Sequence, residues 1–218
     1  MKELSESFFV LDGETTGLPN EKMSHSQLAI LELGAVDSAG RRFYRRIAMG
    51  RGRKVQQGAL DCNGIDALDL GCGVSLDVAL LDLLAWLRPH GETMRWIMGG
   101  KNPQFDYGFL VANWPCDAGV KLSDVISRRC VDLHSIVYGE SLTGGVDMAA
   151  DGFSTDDLYR LYGMEPEPKP HNALRGAIHE MEGFRRVLLG ASAAMPQGQF
   201  DALMLATARE NLTEEVCA

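Results

Sequence analysis

No stretch of this chain approaches the roughly 20 consecutive apolar residues that a helix needs to cross a bilayer. Residues Met1 to Ser7 are polar and acidic, without the basic start and apolar centre of a secretory leader. The expectation is a cytoplasmic protein with no membrane partner. No CxxC occurs among the five cysteines, Cys62, Cys72, Cys116, Cys130 and Cys217, and their spacing is irregular. This argues against a zinc site or a disulfide framework and favours reduced thiols. Gly-rich phosphate loops of the Walker or dinucleotide type are absent, as are internal repeats and long linkers. The net charge of −9 leaves little for general duplex binding, which rests on neutralising phosphates.

What is present suits one soluble domain: 218 residues, 45% hydrophobic and 23% charged. Positive charge is concentrated. Arg41, Arg42, Arg45, Arg46, Arg51, Arg53 and Lys54 are seven of the 21 basic residues. They read either as a charged strand edge that blocks aggregation or as a rim that follows phosphates.

The apolar run Phe8 to Leu11 reads as a buried strand running into a turn at Asp12 to Gly17. Leu28 to Val36 and Arg42 to Met49 follow as strands, with hairpin links. Leu76, Ala79, Leu80, Leu83, Leu84 and Leu87 then recur at helical spacing, ended by Pro89 and Gly91. Arg95 to Met98 and Cys130 to Val137 read as strands. Helices are expected over Gln104 to Asn113, Thr155 to Tyr162, Asn172 to Leu189 and Gln199 to Asn211. Strands followed by alternating helices and strands imply a mixed α/β sheet flanked by helices.

Asp12 and Glu14 lie two apart on a strand and so share a face. Two carboxylates there make half a site for a hard cation such as Mg²⁺ or Mn²⁺. Gly13 between them adds no side chain to the opposite face.

The segment Phe9-Val-Leu-Asp-Gly-Glu-Thr-Thr-Gly-Leu18 resembles the first motif of the DEDD 3′–5′ exonucleases, a family that includes proofreading subunits, RNase T and oligoribonuclease. Gly100-Lys-Asn-Pro-Gln-Phe-Asp-Tyr-Gly-Phe-Leu110 is similar to its middle motif, and His171-Asn-Ala-Leu-Arg-Gly-Ala177 to its last, in the DEDDh form. Ala59 to Ile65 resembles the segment before the first long helix. The resemblance spans Phe8 to Ala177. It implies an RNase H-like fold with a mixed five-stranded sheet flanked by helices. It places an exonuclease domain over 1–190 and a helical tail of the same domain over 191–218.

By that resemblance Asp12, Glu14 and Asp106 bind metal, Mg²⁺ or Mn²⁺ in a two-metal site. His171 is the general base that takes a proton from water. The backbone at Thr15 and Thr16 approaches the 3′-terminal nucleotide and Leu18 wedges against its base, with Asn102 and Phe109 completing the substrate-binding set. Phe105, Phe109 and Leu110 also anchor Asp106 to the core. The implied partner is the 3′ end of single-stranded DNA or RNA, and a homodimer or a polymerase or repair assembly is implied as well.

One position departs from the pattern. The last metal-binding Asp should fall at 176, where this chain has Gly. Glu180, one helical turn on, is the candidate substitute ligand, and His179 a weaker one because imidazole suits softer metals. Without a substitute, one ion is held and activity is slow, or catalysis is lost. The alternative function is then a catalytically impaired module that binds nucleic-acid ends or a protein partner.

Overall fold

The computed structural model describes residues 3–89, 93–115, 118–145, 154–190 and 195–214. Strands β1 (Phe8–Thr15), β2 (Ile30–Asp37), β3 (Arg42–Arg46), β4 (Ile97–Gly100) and β5 (Val131–Asp132) form one sheet in the order β3-β2-β1-β4-β5. The β1–β2 and β2–β3 pairs are antiparallel, and the β1–β4 and β4–β5 pairs parallel. Among the described residues eight α-helices flank the sheet: α1 (Gln57–Asn63), α2 (Leu76–Leu87), α3 (Pro103–Asn113), α4 (Leu122–Val125), α5 (Leu133–Leu142), α6 (Thr155–Leu161), α7 (Ala173–Leu189) and α8 (Gln197–Glu214). Among the described residues no helix is long and apolar enough to cross a membrane.

The period of two along β1 divides the molecule. Phe9 and Leu11 enter one core with α2 and α3, while Phe8 and Val10 enter a second core with α7. Asp12 and Glu14 continue the Phe8–Val10 face, so the strand aims both carboxylates to the α7 side. Helix α7 starts at a fixed place because Asn172 caps it, accepting from the Arg175 N–H at 3.2 Å. Buried Glu32 on β2 accepts from Asn172 Nδ2 at 2.9 Å and from the Ala173 N–H at 3.1 Å, and pairs with Arg46 at 3.1 Å. Gly34 lets the helix close on the sheet, since a Cβ there would overlap the Ala173 and Leu174 backbone.

The strand expected over Cys130 to Val137 is only Val131–Asp132, and from Leu133 the chain is α5. Asp132 decides this, accepting from the His134 and Ser135 N–H groups and starting a helix whose buried face carries Leu133 and Val137. Cys72 is disulfide-bonded, against the expectation of reduced thiols, while Cys62 and Cys130 are free. Spacing along the chain does not report which sulfurs a fold brings together. The expected helix stop at Gly91, and Cys116 and Cys217, lie outside the described residues.

Candidate active site

A cleft of about 610 Å³ opens at the C-terminal end of β1 and is lined by Asp12, Glu14, Asp106 and His171. Three separate elements deliver these four groups. Strand β1 brings Asp12 and Glu14. Helix α3 brings Asp106 from its first turn, and the bare Gly13 makes room for it: a Cβ there would sit 3.2 Å from Asp106 Oδ1. The loop before α7 brings His171. The start of α3 is held by Asn102 in the left-handed conformation (φ 55°), its N–H donating to Asp132 Oδ1 at 3.1 Å.

The cleft also holds an acid outside those motifs and a cation, within the middle motif, to which the resemblance gives no role. Glu167, on the Pro-rich loop, lines it together with Lys101. Glu167 Oε2 lies 3.9 Å from His171 Nδ1, while Oε1 is buried without a hydrogen-bond partner. No sequence period marks Glu167, because it sits on an irregular loop between prolines. Gln56, outside the matched segments, and Asn63, within Ala59 to Ile65, also line the cleft. Gln56 grips Leu18 through both of its backbone polar groups at 3.0 Å, leaving the Leu18 side chain 65% exposed at the cleft.

The other expected substrate contacts divide between the cleft and the core. Thr15 lines the cleft, its hydroxyl donating to the Gly17 carbonyl at 2.9 Å. Thr16 is fully buried and donates to the Lys54 carbonyl at 2.7 Å, which ties the turn together. Phe109 is buried beside His25 and Phe105; of the two Phe side chains, Phe105 faces the cleft. Glu180 is buried behind the cleft, its Oε2 accepting from the Lys101 N–H at 3.1 Å. His179 Nε2 donates to the Glu165 carbonyl at 2.9 Å, and burial lowers this imidazole to about 4, so it is neutral.

Gly176 faces Asp12 directly. A Cβ at 176 would lie 2.9 Å from Asp12 Cγ, nearer still to Oδ2, and 3.2 Å from Glu167 Oε1. Any side chain here would displace the Asp12 carboxylate.

The electrostatics follow from crowding acids out of water. Burial, then the charge of Glu167, raises Asp12 to about 7. Burial, then Asp12 and Glu32, raises Glu14 to about 9. Asp106 and Glu180 are raised well above the usual carboxylate range, first by burial and then by Asp12. Lys101 is lowered by burial but raised overall by Glu180, Asp12, Glu167 and Asp106 around it. His171 is lowered by burial and then by Lys101, Lys169 and Arg175.

A divalent cation fits this donor set. The lining acids are hard oxygen donors, burial and then their mutual repulsion drive them to hold protons in its absence, and one buried carboxylate oxygen has no partner. Among the described residues no three His, Cys, Asp or Glu side chains are already drawn together around one point.

The basic stretch is largely committed within the fold. Arg41 pairs with Asp37, Arg45 with Asp82 and Arg46 with Glu32, while Arg53 donates to the Leu28 carbonyl and Asn113. Arg42, Arg51 and Lys54 are exposed.

No family model and no curated protein matches the chain. Solved structures do. Cell-death related nuclease 4 superposes with a TM-score of 0.62 at 15% identity, over 85% of this chain and 64% of that one. The nuclease domain of 3′hExo, a DEDDh family member bound to rAMP, gives 0.60 at 13% identity, over 86% and 94%. Exonuclease I of E. coli, in complex with a dT13 oligonucleotide, gives 0.59 at 16% identity, over 94% and 44%. The chain thus spans less than two thirds of cell-death related nuclease 4 and of exonuclease I, and nearly all of the 3′hExo nuclease domain. With its mixed five-stranded sheet flanked by helices, this chain has the RNase H-like fold of those exonuclease domains.

Proposed function

We propose that this protein is a metal-dependent 3′–5′ exonuclease that hydrolyses the terminal phosphodiester of single-stranded DNA or RNA and releases nucleoside monophosphates. The observation that carries the reading is the convergence of Asp12, Glu14, Asp106 and His171, from separate elements, in one cleft beside an exposed Leu18. The RNase H-like fold and the nucleic-acid ligands named for its structural neighbours support it.

Asp12, Glu14 and Asp106 would hold Mg²⁺ or Mn²⁺, which supplies charge stabilisation at the phosphate and lowers the pKa of attacking water. His171 takes the proton from that water. Its depressed pKa keeps it neutral, and so able to accept, at pH 7. Leu18, presented by Gln56, stacks on the terminal base, and the cleft-facing Phe105 adds apolar surface for the nucleotide. Lys101, which lines the cleft, offers a cation to the scissile phosphate.

The test uses 5′-labelled single-stranded DNA and RNA in Mn²⁺, Mg²⁺ and EDTA. A metal-dependent ladder growing from the 3′ end, absent with Asp12→Ala, is the expected result. No ladder under any condition, or one that survives Asp12→Ala, overturns the assignment. A second reading, an impaired module that binds ends without cutting, is favoured by the missing side chain at 176. It predicts retention of labelled strands without shortening.

A further inference from the structure

We infer that Glu167 supplies the fourth carboxylate of the metal site, entering from the Pro-rich loop into the space that Gly176 leaves beside Asp12. The inference rests on the exonuclease reading and names a ligand that the motifs do not contain.

Three observations carry it. First, the space is shared: the point where a side chain at 176 would begin lies 2.9 Å from Asp12 Cγ and 3.2 Å from Glu167 Oε1. Both carboxylates therefore adjoin the position from which a helix-borne acid would project. Second, Glu167 Oε1 is buried and unpartnered, whereas Oε2 is turned toward His171 Nδ1 at 3.9 Å. A carboxylate oxygen withdrawn from water without a donor is costly and is satisfied by a cation. Third, the loop is fastened on both sides of Glu167. His179 on α7 donates to the Glu165 carbonyl at 2.9 Å, and the Arg175 guanidinium donates to the Pro170 carbonyl. Prolines at 166, 168 and 170 stiffen what lies between. Helix α7 thus delivers the acid indirectly, by holding a loop.

Glu180 is also near, but its geometry differs. Its Oε2 already accepts the Lys101 N–H, and it does not line the cleft. Gly176 is the complement of Glu167, because any Cβ at 176 would crowd both acids.

The experiment is Mn²⁺ titration by calorimetry, with free Mn²⁺ followed in parallel by electron paramagnetic resonance. It uses the full chain and Glu167→Gln, Glu167→Asp, Glu180→Gln and Asp12→Ala. Glu167→Gln keeps the shape and removes the charge; near-UV circular dichroism checks that the fold is intact. The expected result is an affinity loss of about 10-fold or more, or loss of one bound ion, in Glu167→Gln, on the scale seen when metal-site residues are altered. Glu167→Asp should recover part of that loss, and Glu180→Gln should lose less than Glu167→Gln. Equal Mn²⁺ binding by wild type and Glu167→Gln, with Asp12→Ala impaired, overturns the role of Glu167 while leaving the exonuclease site standing. Equal losses in the Gln and Asp variants also overturn it, since a carboxylate at 167 would then be irrelevant. Failure of wild type to bind Mn²⁺ overturns both readings.

Discussion

Two glycines set the distance between α7 and the sheet, and each has a measurable consequence. At Gly34 an added Cβ would meet backbone atoms of Ala173 and Leu174, which cannot swing aside as a side-chain tip can. Gly34→Ala should lower stability by about 1–3 kcal/mol or more, the usual cost of overpacking, read as a drop in denaturant midpoint. At Gly176 the obstacle is the Asp12 carboxylate. Gly176→Ala should therefore fold but bind Mn²⁺ more weakly, and Gly176→Asp should not improve on the natural residue. Tighter Mn²⁺ binding by Gly176→Asp would show that the helix has room to back away. His171 provides the third test at this scale. Because burial and the neighbouring cations depress its pKa below 6.5, the acid limb of the rate against pH should have its midpoint below that value. His171→Ala should cost about 10² to 10⁴-fold in rate. A midpoint above 6.5 in single-turnover assays would contradict the assignment of the base.

Helix α7 is the element on which the site depends most. Its N-terminus is clamped to β2 through Glu32, which is in turn paired with Arg46. Arg46→Met should leave a buried carboxylate with its charge uncompensated, at a cost of about 3–5 kcal/mol, measurable by urea unfolding. The loss should extend to activity, because the same clamp positions the loop that carries His171. Further along, Arg186 pairs with Glu182 at 2.9 Å and donates to the Tyr162 and Gly163 carbonyls, fixing the entry to the Pro-rich loop. Helix α5 shows where local pattern misleads. Val131, Leu133, Ile136 and Val137 form a short apolar run compatible with either period, and the Asp132 cap turns it into a helix after two strand residues.

For the molecule as a whole, the crowded acids make stability depend on pH and on cations. Asp12 is raised from 3.8 to about 7 and Glu14 from 4.5 to about 9. The native state then binds more protons than the unfolded chain across those intervals, so the metal-free protein should lose stability as pH rises from 5 toward 9. Thermal unfolding in EDTA should show a falling midpoint over that range, and a rising one would refute the electrostatic picture. Mn²⁺ at about 100 times its dissociation constant should restore about 2.7 kcal/mol per site. The same proton competition makes Mn²⁺ affinity increase with pH.

The sequence by itself determined the layout of β1, because alternation of apolar residues and the D-x-E spacing fix which face the carboxylates take. It also determined Asp106 at the start of α3 and the long helix after His171, since caps and helical periods are local. Each of those groups stands in the cleft. What only the tertiary structure decided was the surroundings. Glu167 and Lys101 enter the site from loops with no period to betray them, and Phe109 turns into the core while Phe105 faces the cleft. Gly176, where the sequence departs from the pattern it resembles, is in three dimensions the point where α7 touches Asp12. Local pattern records what a residue does to its own backbone. The contents of a cleft depend on which distant segments are pressed against it, and here that was set by the close packing of α7 on the sheet.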